Sequence, residues 1–157
     1  LESHKVPVVI GPENLLYMID RHHVVRACWE VGVEEVETEL RADFSDQSSE
    51  NFWEVMLKLK WCYLVDQFGN GPHSPLLLPT DIKGLSDDRY RSLAWMVREA
   101  GGYKKSPIPF AEFYWADFFR HKVKITNEKN SLEEAFKEAL ELCKKKEAEH
   151  LPGFKKG

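Results

Sequence analysis

A cluster of polar and basic residues stands where a short apolar run gives way to a helical pattern. Asp20, Arg21, His22 and His23 follow one another directly, and Arg26 comes three residues later. The first turn of a helix exposes unpaired backbone N–H groups and about half a positive charge, which attract anions. Arg26 would lie one turn into the helix, from where its guanidinium is expected to reach back to a phosphate. The stretch therefore predicts a phosphate site at the start of the helix, with the basic and imidazole side chains as donors around it.

The same stretch allows plainer interpretations. Asp20 is expected to cap the helix or to hold a histidine, because a carboxylate by itself repels phosphate. In the plainest interpretation Asp20 is only an N-cap, and His22 and His23 line a surface loop. A metal site on both histidines is disfavoured, because adjacent helical side chains point about 100° apart and one ion would not normally take both.

A second candidate lies on the aromatic-rich segment from Pro109 to His121, which predicts a helix opened by proline. Glu112 or Asp117 would act there as a general base or a magnesium ligand facing the phosphate site. Asp117 precedes Arg120 by three residues and His121 by four, so the alternative is a structural ion pair. Glu112 is the preferred base, because no basic residue stands one turn after it.

Composition narrows the class of protein. The chain has 157 residues, 43% hydrophobic and 31% charged, as expected for one globular domain. Its net charge of -4 argues against a protein whose main task is coating nucleic acid. No apolar run approaches the roughly 20 residues of a membrane span, and the first residues lack a signal peptide's apolar core. Three widely spaced cysteines disfavour a disulfide framework, and a cytoplasmic location fits best.

The elements that position the first candidate are short. Two apolar runs joined by a Gly/Pro/Asn turn predict a hairpin, and Pro7 predicts an edge position for its first strand. A helix follows, with Trp29 on its apolar face, and an alternating pattern then predicts a third strand. The predicted segments are strand Val6 to Ile10, strand Leu15 to Ile19, helix His22 to Val31 and strand Val36 to Ala42.

The rest of the chain is predicted to be mainly helical. The expected class is α+β: a small mixed sheet with one short helix in residues 1–47, and a helical region in residues 48–157 packed on it as one compact domain. A long loop is predicted from Gln67 to Gly84, and the stretch from Asp66 to Pro75 is expected to form a lid that faces a substrate. Lys83 could join the phosphate site, and the plainer interpretation is an exposed lysine. The predicted helices are Glu50 to Leu64, one capped by Ser86, Pro109 to His121 and one from Ser131.

Several blocks of the sequence resemble the ParB/sulfiredoxin superfamily, in particular the branch called putative ParB-like nucleases. In that superfamily a strand–loop–helix junction of this kind binds nucleotide phosphates. The resemblance implies a sulfiredoxin-like fold and ATP or ADP as the cofactor. The blocks are Lys5–Pro12, Tyr17–Ala27, Tyr90–Ala94, Gly101–Tyr103 and Pro109–Arg120.

Two positions depart from the pattern of the superfamily. Sulfiredoxins carry a reactive cysteine in this loop, and its place falls to His22, which joins Glu112 and Asp117 as a candidate catalytic residue. Cys28 lies on the predicted apolar face of its helix, so sulfinic-acid repair is disfavoured. Many relatives have glycine where Arg21 stands, which lets the backbone approach a phosphate closely. Members of the branch usually have sequence before this first strand, so an N-terminal strand is expected to be missing.

Three functional hypotheses follow. The first is a nucleotide-phosphate-binding phosphotransferase or nucleotide hydrolase that acts on a small molecule, with magnesium and without a membrane partner. The second is a ParB-like nuclease or DNA-binding module, which is less favoured because the chain is acidic and lacks a helix-turn-helix signal. The third is a catalytically silent binding domain.

Overall fold

A computed structural model of the chain describes residues 5 to 155. Three strands and five α-helices over this part of the chain form an α+β fold with a helical C-terminal region, as predicted. None of the helices described there is both long and apolar enough to cross a bilayer. In chain order the elements are β1 (Val6–Ile10), β2 (Leu16–Met18), α1 (His22–Glu30), β3 (Thr38–Asp43), α2 (Ser49–Lys58), α3 (Arg89–Glu99), α4 (Ala111–Arg120) and α5 (Ser131–Leu142).

Contacts divide the described residues into two compact units, neither of which is continuous in sequence. The first, here called the N-terminal unit, takes the chain up to Leu64 and then Pro72–Ser86. The second, the C-terminal unit, takes Val65–Gly71 and continues from Asp87. This division differs from the boundary expected after residue 47, because the apolar face of α2 packs with β1 in the core of the N-terminal unit.

β1 is the central strand of a mixed sheet whose order is β2-β1-β3. It pairs antiparallel with β2, where Val8 lies opposite Met18, and parallel with β3. The predicted hairpin is therefore confirmed, but the edge position predicted from Pro7 is wrong. The sheet tolerates Pro7 because its carbonyl still accepts a hydrogen bond from the N–H of Ile19, at 3.1 Å. The sheet therefore loses only the hydrogen bond that a backbone N–H at this position would donate.

The core of the N-terminal unit forms where α2 lies on one face of the sheet. Val9 of β1 and Phe52 and Met56 of α2 are each at most 2% exposed. Phe52 and Met56 are four residues apart, which places them on the same side of the helix. α2 ends before the predicted Leu64, because Lys60 adopts a positive φ of 55° that does not continue a right-handed helix.

α3, α4 and α5 enclose the larger core, that of the C-terminal unit. Leu93 and Val97 of α3, Trp115 and Phe119 of α4 and Ala139 of α5 have no exposed surface. Large side chains from two helices thus meet the small side chain of the third, which allows the three helices to approach closely.

Two helices of the C-terminal unit begin later than predicted. Asp88, and not Ser86, caps α3: its carboxylate accepts a hydrogen bond from the N–H of Tyr90 at 3.0 Å. Phe110 is the N-cap of α4, with a left-handed φ of 58°, so Pro109 lies before the helix and does not open it. Cap geometry depends on backbone angles that the residue types alone do not determine.

The segment after α5 returns to residues that precede and form α4. The backbone oxygen of Pro152 accepts a hydrogen bond from the indole Nε1 of Trp115 at 2.7 Å. The oxygen of Gly153 accepts one from the N–H of Lys104 at 2.8 Å. Gly153 has a φ of 78°, and a Cβ at this position would collide with the carbonyl oxygen of Lys104, so the contact requires glycine.

Candidate functional site

α1 begins without a side chain that caps it. Its N-cap residue, Arg21, adopts φ 64° and ψ 25°, the left-handed conformation that glycine adopts most easily. Val24 and Val25 are the first amides of this turn to find an acceptor, the carbonyl of Arg21, at 3.0 and 3.1 Å. The N–H groups of His22 and His23 donate to no protein oxygen within residues 5–155, so they are open to an anion.

Asp20 holds the turn that precedes α1. Its carboxylate accepts a hydrogen bond from the N–H of Arg21 at 2.6 Å, and no side chain accepts from the first turn of the helix. The expectation that Asp20 caps the helix is therefore wrong. The alternative, that Asp20 acts on a histidine, agrees with the effect of its charge, which raises the pKa of His22.

Burial lowers the pKa of the His22 imidazole below its usual value, so this histidine is neutral at pH 7. The effect of burial outweighs the charge of Asp20 and a hydrogen bond with the backbone of Met18, both of which raise the pKa. A neutral imidazole can accept a proton from a hydroxyl group or a water molecule. His22 is half-buried, whereas the neighbouring His23 is exposed.

Replacing His22 with glutamine is expected to change how stability depends on pH. The folded protein has the lower pKa, so the unfolded chain binds more protons, and this reduces the stability of the wild type as the pH falls from about 6.5 towards the lowered pKa. The variant lacks this effect. The stability advantage of the wild type over the variant should therefore decrease between about pH 7.5 and about pH 5, measured by urea denaturation. A difference that is independent of pH would contradict the prediction.

The guanidinium of Arg26 is engaged away from the open amides. Its Nε donates to the carboxylate of Glu30 at 2.8 Å. Its Nη1 lies 3.1 to 3.4 Å from the carbonyl oxygens of Ile82, Lys83 and Leu85. The expected reach of Arg26 towards a phosphate is therefore not what the structure shows. Arg26 instead holds the short 3-10 turn Ile82–Gly84 against α1.

Trp29 and Lys83 complete a cluster with Arg26, and of these contacts the sequence suggested only that Lys83 could join a phosphate site. The guanidinium carbon of Arg26 lies 5.0 Å from the centroid of the Trp29 ring, and Lys83 Nζ lies 5.7 Å from it. Trp29 is 40% exposed, although the helical pattern placed it on the apolar face of α1. Helical spacing alone brings Arg26 and Trp29 to one side of α1. No local signal indicates that Lys83 meets α1, because it is 57 residues away from Arg26.

Two arginines of α3 hold the carboxylate of Glu112. Arg91 Nη1 donates to it at 2.5 Å, and Arg98 Nη1 forms a second ion pair with it. The guanidinium of Arg91 also lies over the ring of Phe113, 4.2 Å from its centroid. No basic residue stands one turn after Glu112, as the sequence showed, but its carboxylate is still paired, because the partners come from the neighbouring helix. Its oxygens are engaged by two guanidinium groups, which disfavours a role as general base.

Asp117 belongs to a second ion-pair cluster, centred on Arg120. Arg120 Nη1 donates to Asp117 at 3.0 Å, and its Nη2 donates to Asp88 at 2.6 Å. The ion pair expected between Asp117 and Arg120 is thus confirmed, whereas His121 contacts the backbone oxygen of Asp117. The Arg120 side chain is only 11% exposed and lies over the ring of Tyr90. These contacts give the cluster a structural role in joining α3 to α4.

The carboxylates do not fit a resident magnesium ion. Glu112 and Asp117 are both paired with arginines, whose positive charges oppose a divalent cation. Among the residues that the structure describes, no group of three or more His, Cys, Asp or Glu side chains could hold a metal.

The candidate residues are divided between the two compact units. The N-terminal unit brings Arg21, His22 and His23 together at the start of α1, with Asp20 beside them. Glu112 and Asp117 lie in the C-terminal unit, each in its own ion-pair cluster.

Comparison with known proteins identifies a family and similar solved structures. A family described as "Putative ParB-like nuclease" matches residues 1–121. The crystal structure of protein Atu1540 from Agrobacterium tumefaciens is 43% identical in sequence, with a TM-score of 0.90. The match covers 97% of this chain and 78% of that one. No curated protein matches the chain.

Proposed function

Because this chain belongs to the putative ParB-like nuclease family, we propose that it binds the phosphate of a nucleotide or nucleic acid and transfers or hydrolyses it. One observation carries the proposal: α1 starts with two open amides, those of His22 and His23, beside the neutral imidazole of His22. Amide dipoles fixed by a helix stabilise phosphate charge without having to reorganise. A neutral imidazole at the same place supplies a proton acceptor.

The proposed reaction assigns a role to each residue at the start of α1. The two amides hold phosphate oxygens, and Arg21 and His23 add donors. The oxygen of water or of an acceptor hydroxyl forms a bond to phosphorus while the P–O bond to the leaving group breaks. His22 takes the proton of the attacking oxygen, and the Asp20 charge stabilises the imidazolium that results. Glu112, Asp117 and Arg26 have no direct role in this reaction.

Charge favours a free nucleotide, such as ATP or ADP, as the ligand. Residues 5–64 and 72–86, which contain the site, carry seven Lys and Arg side chains and twelve Asp and Glu side chains. A surface with this excess of negative charge repels a long polyanion more than a short one. We therefore propose a nucleotide with a small-molecule acceptor or water as the first candidate.

A nuclease is the second candidate, and the description of the matching family favours it. The bond chemistry is the same, with a phosphodiester in place of an anhydride. A short single strand would meet less repulsion than a duplex, because it carries fewer phosphates per unit length.

Changing His22 to alanine is expected to lower turnover by about 100-fold or more, because the proton acceptor is lost. Affinity should change by less than about tenfold, because alanine keeps the backbone N–H. Turnover would be measured as ADP release from magnesium ATP and as cleavage of a short fluorescent single-stranded DNA, and affinity by calorimetry. His150→Ala is the matched control, because His150 is an exposed histidine of the C-terminal unit.

The two substrates separate the candidates. ADP release that depends on His22 supports the nucleotide enzyme, and DNA cleavage that depends on His22 supports the nuclease. Binding without turnover of either substrate would reject catalysis and support the hypothesis of a catalytically silent binding domain. Equal turnover by wild type and His22→Ala would reject His22 as the proton acceptor.

A further inference from the structure

One side of α1 carries three residues that lie in line. His22, Arg26 and Trp29 are four and three residues apart, and this spacing repeats on one side of a helix. The rise of an α-helix places Trp29 about 10 Å along the axis from His22. A ligand held at the start of α1 that extended along this side would therefore meet Trp29.

Trp29 is held in a defined environment. Arg26, lying over its ring, is fixed by Glu30 and by carbonyl oxygens of the 3-10 turn that contains Lys83. The same turn therefore places the ammonium of Lys83 close to the indole. Lys83 forms no ion pair with any residue that the structure describes, and it is exposed. The cluster thus presents a part-exposed aromatic ring beside a cation that has no acidic partner.

We propose that this side of α1 is a nucleoside-phosphate site, in which the base stacks on the exposed part of Trp29. The inference rests on the proposed function, since the phosphate is held at the start of α1 by the amides of His22 and His23. Lys83 lies beside the stacked base and attracts the charge of the phosphate chain. An aromatic ring beside a basic side chain is an arrangement that binds the bases of single-stranded nucleic acids and of free nucleotides.

Arg26 is a positioning residue in this site. Its Nε is engaged by Glu30 and its Nη1 by carbonyl oxygens, so its role in the proposed site is to place Trp29 and Lys83. This role accounts for a guanidinium that lies one turn from the open amides without being directed towards them.

Calorimetry with ADP and with inorganic pyrophosphate tests the site, because pyrophosphate lacks the base. Wild type should bind ADP about tenfold more tightly than pyrophosphate. Trp29→Leu should lower the affinity for ADP to that for pyrophosphate and leave pyrophosphate binding unchanged. Lys83→Gln should weaken the binding of both ligands, and Lys83→Arg should restore it. The control is Trp95→Leu, because Trp95 is a tryptophan of α3 that is 52% exposed.

A short single-stranded DNA with a 5′-phosphate distinguishes the two sources of a nucleoside phosphate. If it binds more tightly than ADP and loses affinity in Trp29→Leu, the site is supported with a strand end as its ligand. ADP binding that is equal in wild type and Trp29→Leu, with pyrophosphate still bound, would overturn the inference and leave the proposed function intact. A wild type that binds neither ADP, pyrophosphate nor DNA would overturn both.

Discussion

Replacing Trp115 with alanine is expected to lower the free energy of unfolding by about 4 kcal/mol. Trp115 has no exposed surface, and its ring stacks on that of Tyr103 with the centroids 4.3 Å apart. The substitution removes the largest fully buried side chain of the C-terminal unit and leaves a cavity between Tyr103 and Phe119. It also leaves the carbonyl of Pro152 without its indole donor.

Guanidinium denaturation of wild type and variant gives this difference directly. Trp95→Ala is the matched control: Trp95 is about half exposed, and its loss should cost no more than about 1 kcal/mol. A loss below about 1.5 kcal/mol in Trp115→Ala would show that the core can collapse around the missing ring, contrary to the packing described.

Changing Arg120 to methionine is expected to cost about 3 kcal/mol of stability. The variant keeps an aliphatic side chain of similar length but leaves the carboxylates of Asp88 and Asp117 without their shared partner. Asp88 is 15% exposed and Asp117 31% exposed. Water can therefore solvate the unpaired carboxylate of Asp117 better than that of Asp88. The methionine also loses the cation that lies over the ring of Tyr90.

Thermal unfolding, with denaturant titration to obtain the free energy, measures this effect. Arg89→Met tests whether the loss of any arginine in this region has the same result: Arg89 is exposed, donates to Asn127 at 3.1 Å and should change stability by less than about 0.5 kcal/mol. If Arg120→Met were no less stable than Arg89→Met, the cluster around Arg120 would not hold α3 to α4.

Local patterns in the sequence predicted the elements well. The hairpin, the helix that starts at His22 and the helical C-terminal region depend on alternation, turn residues and spacing within short windows. The pairing of Asp117 with Arg120 was also predictable, because both residues lie on one helix three positions apart.

The errors at Glu112 and Arg26 concern contacts between residues that are distant in sequence, whereas the errors at caps and helix ends are local. Glu112 has no basic residue one turn after it on its own helix, but α3 supplies Arg91 and Arg98 across a helix contact. Arg26 was expected to meet a ligand, and it meets carbonyl oxygens that lie more than fifty residues later in the chain. Backbone carbonyls are present at every residue, so no pattern of residue types can indicate which ones an arginine will find.

The way the two compact units share the chain has a consequence for synthesis on the ribosome. The N-terminal unit includes Pro72–Ser86, whose carbonyl oxygens hold Arg26, while Val65–Gly71 belongs to the C-terminal unit. A nascent chain therefore cannot complete its first unit until residue 86 has left the exit tunnel. Seven residues of the second unit emerge before that point and cannot yet pack with the rest of their unit. A gene fragment that stops at Leu64 would encode α1 without the segment that Arg26 binds, which makes it a poor choice for separate expression.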